Sequence, residues 1–258
     1  MPRLGQHFLK NKEVIKKIIN SLSLQAGGTV LEIGPGEGAL TGELLTKNIH
    51  LLAIEKDRDL IHHLTRNFKK SNFDLKSGDV RDLLSEVTES IRGEYKLVGN
   101  LPYYLTGSLL RDLVDLKNKP TLAIFMIQRE VADRLTAQKG EQNLLSAAIS
   151  YAYESHFLFS VPARDFTPPP KVDSAVISLT PRATPLTPEK DPYFKLIKVI
   201  FKQPRKTLVN NLCDGLHLGK NDVSELVKTH HLALNARPQD LSLNNILDLL
   251  TSLLFLLK

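Results

Sequence analysis

Between residues 11 and 24 the apolar side chains Val14, Ile15, Ile18, Ile19 and Leu22 share one helical face, with Lys12, Lys16 and Lys17 on the other. The spacing predicts an amphipathic helix. The β-branched run 29–33 predicts a strand that ends at a glycine cluster and gives way to a helical pattern reaching residue 47. Strand patterns recur at 51–55, 73–77, 95–99 and 121–127. Helical patterns stand at 57–68, 106–116, 130–135 and 143–153. Strands alternating with helices imply a parallel sheet covered on both faces, the α/β class. Two further strands, 156–161 and 173–180, have no helix-length segment between them, so they are expected to pair antiparallel and close an otherwise parallel sheet.

From Pro181 to Pro192 the chain turns to Thr184, Pro185, Thr187 and Pro188 with few apolar residues, which reads as a linker. Beyond it every pattern is helical: 193–202, 204–212, 221–228 and 241–257. Pro204 is expected as the first residue of its helix, where its missing N–H costs nothing. The expected organisation is a large α/β domain over 1–181, with 1–12 as a segment lining its ligand site, a linker over 182–192, and a small all-helical domain over 193–258. No internal repeat is evident.

Composition narrows the possibilities. No stretch approaches the roughly 20 uncharged apolar residues that span a bilayer. Residues 1–12 lack an apolar h-region, so the expected compartment is the cytoplasm, with no membrane partner. Cys213 is the only cysteine, which excludes an internal disulfide and a zinc site of paired thiolates. The doublets His62-His63 and His230-His231 point about 100° apart on a helix, so no metal is expected. A net charge of +6 is a weak pointer to an acidic partner. Its distribution says more: from Pro192 to Cys213 stand Lys195, Lys198, Lys202, Arg205 and Lys206 with no acidic residue. Lys195, Lys198, Lys202 and Lys206 follow spacings of three and four, a stripe suited to a phosphate backbone or, more blandly, to solvent.

The candidate chemistry lies at the strand ends. Glu32-Ile-Gly34-Pro-Gly36-Glu-Gly38 occupies a strand-to-helix turn, where glycines let the backbone approach a nucleotide-like cofactor. Glu55, 21 residues after Gly34, stands where a carboxylate accepts from ribose hydroxyls, and Asp79 closes the third strand, where it could accept from an adenine amino group. The same glycines also satisfy the fingerprint of nicotinamide enzymes. The fourth strand separates the two readings, ending in Asn100-Leu101-Pro102-Tyr103. An adenine amino nitrogen is a poor nucleophile and needs two acceptors. Asn100 offers a side-chain carbonyl and Leu101 a backbone carbonyl, Pro102 fixes the turn, and Tyr103 can stack on the base.

These residues resemble the small-subunit ribosomal RNA adenine dimethyltransferases, the KsgA/RsmA family. The resemblance spans nearly the whole chain: Leu-Gly-Gln-His-Phe-Leu at 4–9, Glu32 to Gly38, Glu55-Lys-Asp57, Gly99 to Tyr103, Phe-Thr-Pro-Pro-Pro-Lys-Val-Asp-Ser-Ala at 166–175, and Arg-Lys-Thr-Leu at 205–208. It implies a Rossmann-like class I methyltransferase sheet, mostly parallel with the last strand antiparallel, and a small helical C-terminal domain. It implies S-adenosylmethionine as cofactor, leaving as S-adenosylhomocysteine, in a pocket lined by His7, Leu9, Gly34, Gly36, Glu55, Asp79 and Asn100. Phe166 is then expected to close on the target base opposite Tyr103. The implied substrate is small-subunit ribosomal RNA in a pre-ribosomal particle, where two adjacent adenosines near the 3′ end become N6,N6-dimethylated by a monomer. Two positions depart from the family pattern: Tyr104 replaces a common Asn, and Pro204 stands where a basic residue is typical. The related large-subunit enzymes usually carry Ile in the tetrapeptide and lack the three-proline loop. A non-catalytic RNA-binding protein on the same scaffold and a nicotinamide dehydrogenase are the alternatives from other classes.

Overall fold

The computed structural model describes residues 7–136 and 142–257; residues 1–6 of the expected site-lining segment lie outside them. In chain order the elements are β1 (Phe8–Leu9), α1 (Lys12–Ser21), β2 (Gly28–Ile33), α2 (Ala39–Leu44), β3 (Ile49–Glu55), α3 (Arg58–Asn67) and β4 (Phe73–Ser77). There follow α4 (Val80–Ser90), β5 (Tyr95–Asn100), α5 (Tyr103–Asp115), β6 (Leu122–Gln128), α6 (Arg129–Thr136) and α7 (Leu144–Ser150). The chain continues through β7 (Tyr153–Val161), β8 (Phe166–Thr167) and β9 (Ser174–Pro181). It ends with α8 (Lys190–Ile200), α9 (Leu208–Leu216), α10 (Lys220–Thr229) and α11 (Leu243–Leu257).

Two compact units emerge, Met1–Ala132 with Tyr153–Pro181, and Asp133–Ala152 with Arg182–Lys258. The first holds a seven-stranded sheet in the order β4-β3-β2-β5-β6-β9-β7. Pairs among β2 to β6 are parallel, whereas β9 runs against both of its neighbours, β6 and β7. The antiparallel pair expected from the sequence is present, but its second strand is inserted next to β6, leaving β7 at the edge. The central strands are buried on both faces, so they read as near-continuous apolar runs. Val30, Leu31 and Ile33 of β2 are all at most 1% exposed, and Glu32 between them is the polar exception. One face packs on α1 through Ile15, Ile18, Ile19 and Leu22. Asn11 caps that helix, accepting from the Glu13 and Val14 amides at 3.0 and 3.3 Å.

Three local expectations differ from the structure. α4 occupies a stretch for which no element was expected. Its apolar residues Val80, Leu84 and Val87 face inward at helical spacing, and Asp79 caps it. In the second unit the turn at 201–206 holds Pro204 outside any helix. α9 begins only at Leu208, capped by Thr207 Oγ1 accepting from the Asn210 amide at 3.3 Å. That turn is tied down by Asn211, 2% exposed, whose Oδ1 accepts from the Gln203 amide and whose Nδ2 donates to the Gln203 carbonyl, both at 3.0 Å. A local side-chain staple therefore outweighs proline's preference for a helix start.

The third difference concerns the units themselves. Segment 133–152 groups with the helical tail, although the sequence suggested it belonged with the sheet, and α8 begins inside the expected linker. Tertiary hydrogen bonds account for both. Tyr193 Oη donates to the Ala147 carbonyl at 2.8 Å, Arg182 Nε to the Ser150 carbonyl at 2.9 Å, and the Leu186 amide to the Tyr151 carbonyl at 3.0 Å.

Candidate functional site

Open α/β sheets bind ligands at the carboxyl ends of their strands, and here four such ends converge on one cavity. Its walls include Gly34 and Gly36 after β2, Glu55 at the end of β3, Asp79 after β4, and Asn100, Leu101, Pro102 and Tyr103 at the end of β5. His7, Leu9 and Phe166 line the same cavity. Every residue expected in the cofactor and base sites is thus brought to one place.

The N-terminal segment reaches the cavity by a route the sequence did not disclose. β1 pairs antiparallel with β8 in the β7–β9 connection, setting Leu9 opposite Phe166 and Phe8 opposite Thr167. The Lys10 amide donates to the Asp165 carbonyl at 2.8 Å, and His7 Nδ1 lies 2.7 Å from the Pro168 carbonyl. Lys10 Nζ forms an ion pair with Glu37. Gly36 has φ of +59°, and a Cβ there would meet the Phe8 ring at 3.2 Å. Only glycine combines that left-handed backbone with so close an approach. Gly38, φ +88°, is tighter still, because a Cβ would stand 2.4 Å from Phe68.

Two carboxylates are anchored in different ways. Glu55, 6% exposed, accepts from the Lys56 and Asp57 amides at 2.8 and 2.9 Å on Oε1 and from the Gly36 amide at 3.1 Å on Oε2. The glycine turn and the end of β3 therefore fix each other, and Oε2 retains a lone pair for a further donor. Asp79 accepts from the Arg81 amide at 3.0 Å and Nε at 3.1 Å on Oδ1. Its Oδ2 receives Arg81 Nη2 at 2.7 Å and Lys56 Nζ at 2.8 Å. The Arg81 guanidinium, with Lys56 adding to it, holds the Asp79 carboxyl well below the usual carboxylate range.

Asn100 Nδ2 donates to the His7 carbonyl at 3.1 Å, while its Oδ1 takes no hydrogen bond from the described residues. Leu101 donates its amide to the Met126 carbonyl at 3.1 Å, extending the β5–β6 ladder. Pro102 is the N-cap of α5. A helix ladder begins with the carbonyl of its N-cap, so the Leu101 carbonyl stays outside it. Tyr103 Oη shares a 2.9 Å hydrogen bond with Ser174 Oγ, and its ring lies 5.9 Å from that of His7. Burial raises the Tyr103 phenol above its ordinary pKa. Phe166 is 3% exposed.

Four further residues line the cavity without having been assigned to it from the sequence: Lys56, Val80, Glu32, which was read only as part of the glycine turn, and Tyr104, noted only as a departure from the family pattern. Glu32 accepts from Thr41 Oγ1 at 2.7 Å, and burial pushes its carboxyl up to about 7. A lone carboxylate inside an apolar strand was the signal that could have found it.

In the helical unit, Lys195, Lys198 and Lys202 line a shallow groove with Phe194, Val199, Asp191 and Gly215. The stripe is not continuous. α8 ends at Ile200, Arg205 and Lys206 sit in the following turn, Lys206 pairs with Asp214 at 3.1 Å, and Lys195 Nζ donates to the Leu257 carbonyl at 3.3 Å. Lys198 and Lys202 make no ion pair among the described residues.

Among the described residues no group of histidine, cysteine and acidic side chains could hold a metal, and no helix is long and apolar enough to cross a membrane.

Comparison with known proteins fits this geometry. A family model described as ribosomal RNA adenine dimethylase matches residues 1–254. A ribosomal RNA small subunit methyltransferase A of Dehalococcoides mccartyi (strain CBDB1) is 38% identical over 247 residues, covering 93% of this chain and 84% of that protein. The protein of that description from Fusobacterium nucleatum is 34% identical over 254 residues, 96% of this chain and 95% of its own. Among solved structures, a dimethyladenosine transferase from Plasmodium falciparum matches with a TM-score of 0.76 at 23% identity, covering 97% of this chain and 98% of that one. The 23S rRNA methyltransferase ErmE matches with a TM-score of 0.72 at 24% identity, covering 95% and 98%. The two structures carry the fold, a class I methyltransferase sheet. The family model, spanning all but the last few residues, carries the rest: the chain belongs to the ribosomal RNA adenine dimethylase family.

Proposed function

We propose that this chain, an S-adenosylmethionine-dependent ribosomal RNA methyltransferase by family, dimethylates the N6 amino group of two adjacent adenosines near the 3′ end of small-subunit RNA. It would act as a cytoplasmic monomer during maturation of that subunit. The observation that carries this reading is the fixed polarity of Asn100: its amide nitrogen is occupied by the His7 carbonyl, which leaves the side-chain oxygen as the acceptor. Beside it stands a second acceptor, the Leu101 carbonyl, free of the α5 ladder.

The cavity's donor and acceptor set suits a nucleoside cofactor. Glu55, pinned by three backbone amides, offers a lone pair to a ribose diol, Asp79 can accept from an adenine amine in exchange for one of its Arg81 or Lys56 donors, and Ile54 and Val80 add apolar lining. His7, Leu9, Gly34 and Gly36 complete the lining. When bound, S-adenosylmethionine supplies an electrophilic methyl group and leaves as S-adenosylhomocysteine. The chain's own part is to hold the acceptor. In the first transfer Asn100 Oδ1 and the Leu101 carbonyl each accept one amino hydrogen, directing the nitrogen lone pair out of the base plane; in the second, the single remaining N–H is held by one of the two. Tyr103, fixed by Ser174, and Phe166, fixed by β1, supply aromatic faces that replace the stacking a flipped base loses. Alignment of this kind can lower a barrier by roughly 7–11 kcal/mol in favourable cases. The proton leaves to solvent after transfer, so no general base is required. Lys195, Lys198, Lys202, Arg205 and Lys206 would position the RNA backbone, and the base pocket would select the base.

The test incubates the purified protein with labelled S-adenosylmethionine and under-methylated small subunits, then maps dimethyladenosine by mass spectrometry. Label on two neighbouring adenosines near the small-subunit 3′ end is expected. Label on large-subunit RNA, or none on either, overturns the assignment.

A further inference from the structure

Two consecutive tyrosines open α5, and the base-holding role accounts for only one of them. Neighbours on a helix point about 100° apart, and the structure separates these two accordingly. Tyr103 faces Ser174 and His7. Tyr104 stands near Lys56 and Arg81 instead. It is 63% exposed, and its hydroxyl makes no hydrogen bond among the described residues. The other exposed large apolar side chains, such as Phe157, Val172 and Phe255, lie elsewhere; Tyr104 alone of that group lines the cavity.

We propose that Tyr104 is a cofactor-positioning residue whose ring forms the outer wall of the slot for the adenine of S-adenosylmethionine, so that each tyrosine serves one of the two adenines entering the cleft. The proposal rests on the methyltransferase reading above and adds a residue to it. Lys56, Gly78, Asp79 and Val80 line the same cavity as Tyr104. Together these residues offer what a neutral aminopurine requires: an apolar contact in Val80, an acceptor in Asp79 and an aromatic face in Tyr104.

An RNA phosphate fits this end less well. Lys56 and Arg81 both bind the Asp79 carboxylate, at 2.8 and 2.7 Å, so their charge is partly neutralised and an anion would face Asp79 itself. The same ion pairs give the exposed ring a purpose. All four acceptor positions of Asp79 are taken by Arg81 and Lys56. An incoming adenine amine must displace one of these donors, and stacking on Tyr104 offsets that loss.

The experiment measures the dissociation constants of S-adenosylhomocysteine and of adenosine alone by calorimetry for wild type, Tyr104→Phe, Tyr104→Ala and Tyr104→Asn. A gel-shift titration of each protein with a small-subunit 3′-end RNA runs in parallel. Phenylalanine should retain the affinity. Alanine and asparagine should weaken both ligands by about 10-fold, the range of a lost base–aromatic stack, with RNA affinity and the melting temperature of ligand-free protein unchanged. Unaltered S-adenosylhomocysteine affinity in Tyr104→Ala overturns the proposal. Weakened RNA binding with intact S-adenosylhomocysteine binding overturns it too and reassigns the ring to the RNA. Failure of wild type itself to bind S-adenosylhomocysteine removes the underlying reading before any variant is considered.

Discussion

The side-chain amide of Asn100 donates to the backbone carbonyl of His7, 93 positions earlier, at 3.1 Å. One hydrogen bond thus joins the end of β5 to the residue that precedes β1, the strand paired with β8 at Phe166. It determines which end of a nearly symmetrical side chain is left as an acceptor, because a carbonyl can only accept.

Asn100→Ala should fold normally and lose methyl transfer by about 100-fold or more, the scale of deleting one positioned transition-state contact. Circular dichroism and a single-turnover assay with labelled cofactor check both halves. Turnover close to wild type would remove Asn100 from the chemistry.

Glu32 predicts a pH dependence of stability with a definite sign. Its carboxyl, 1% exposed, is pushed from 4.5 to about 7 by burial, which the Thr41 hydroxyl opposes and the charge of Glu55 reinforces. Below pH 4.5 both folded and unfolded chains hold the proton, so Glu32 carries no ionisation penalty. Between 4.5 and 7 the unfolded chain releases a proton that the native one keeps, and stability falls as pH rises. Above 7 the full penalty applies, on the order of 3 kcal/mol. Glu32→Gln abolishes the titration. Denaturant unfolding should therefore show the variant gaining on wild type between pH 5 and pH 8; an identical difference at both values refutes the buried proton.

The fold was legible wherever local chemistry and tertiary context agree. β2, its glycine turn and Glu55 could be read because a buried parallel strand is apolar and its turn needs positive φ. Asn100 and Tyr103 could be read as a pair because the tetrapeptide lies at a strand end. α4 could have been read as well, since Val80, Leu84 and Val87 keep helical spacing behind the cap Asp79. The pairing of β1 with β8 could not, because two-residue strands carry no pattern and their register joins segments far apart in the chain. Nor could the placement of segment 133–152, whose partners Arg182, Leu186 and Tyr193 come later in sequence. Pro204 misled because the staple made by Asn211 is invisible to local propensity.

Within the helical unit the approach of α9 to α8 depends on Gly215. A Cβ there would stand 2.5 and 2.9 Å from the two γ-carbons of Val199 and 3.1 Å from its β-carbon. Rotating the valine moves the first two contacts but not the third, so the helices must separate. Gly215→Ala should cost about 1–3 kcal/mol, the usual range for overpacking. Val199→Ala in the same chain should recover most of that loss. Melting temperatures of the two single variants and the double variant test this; additivity, with no recovery, would mean the helices have room to move apart.

The groove beside Gly215 yields the last prediction. Lys198 and Lys202 are exposed and make no ion pair among the described residues, whereas Lys206 is engaged by Asp214 and Lys195 by the end of α11. The first two are therefore the cations most available to phosphate. Each phosphate contact that releases a counterion adds roughly 0.7–0.9 to the slope of log affinity against log salt. Lys198→Glu with Lys202→Glu should weaken binding of a small-subunit 3′-end RNA and flatten that slope by roughly 1.4–1.8. Lys206→Glu, which removes a charge already paired, should flatten it less. Titrations at 50, 100 and 200 mM salt, about the range over which such contacts dominate, distinguish these outcomes. A slope unchanged in the double variant would return α8 to the role of a solvated helix face.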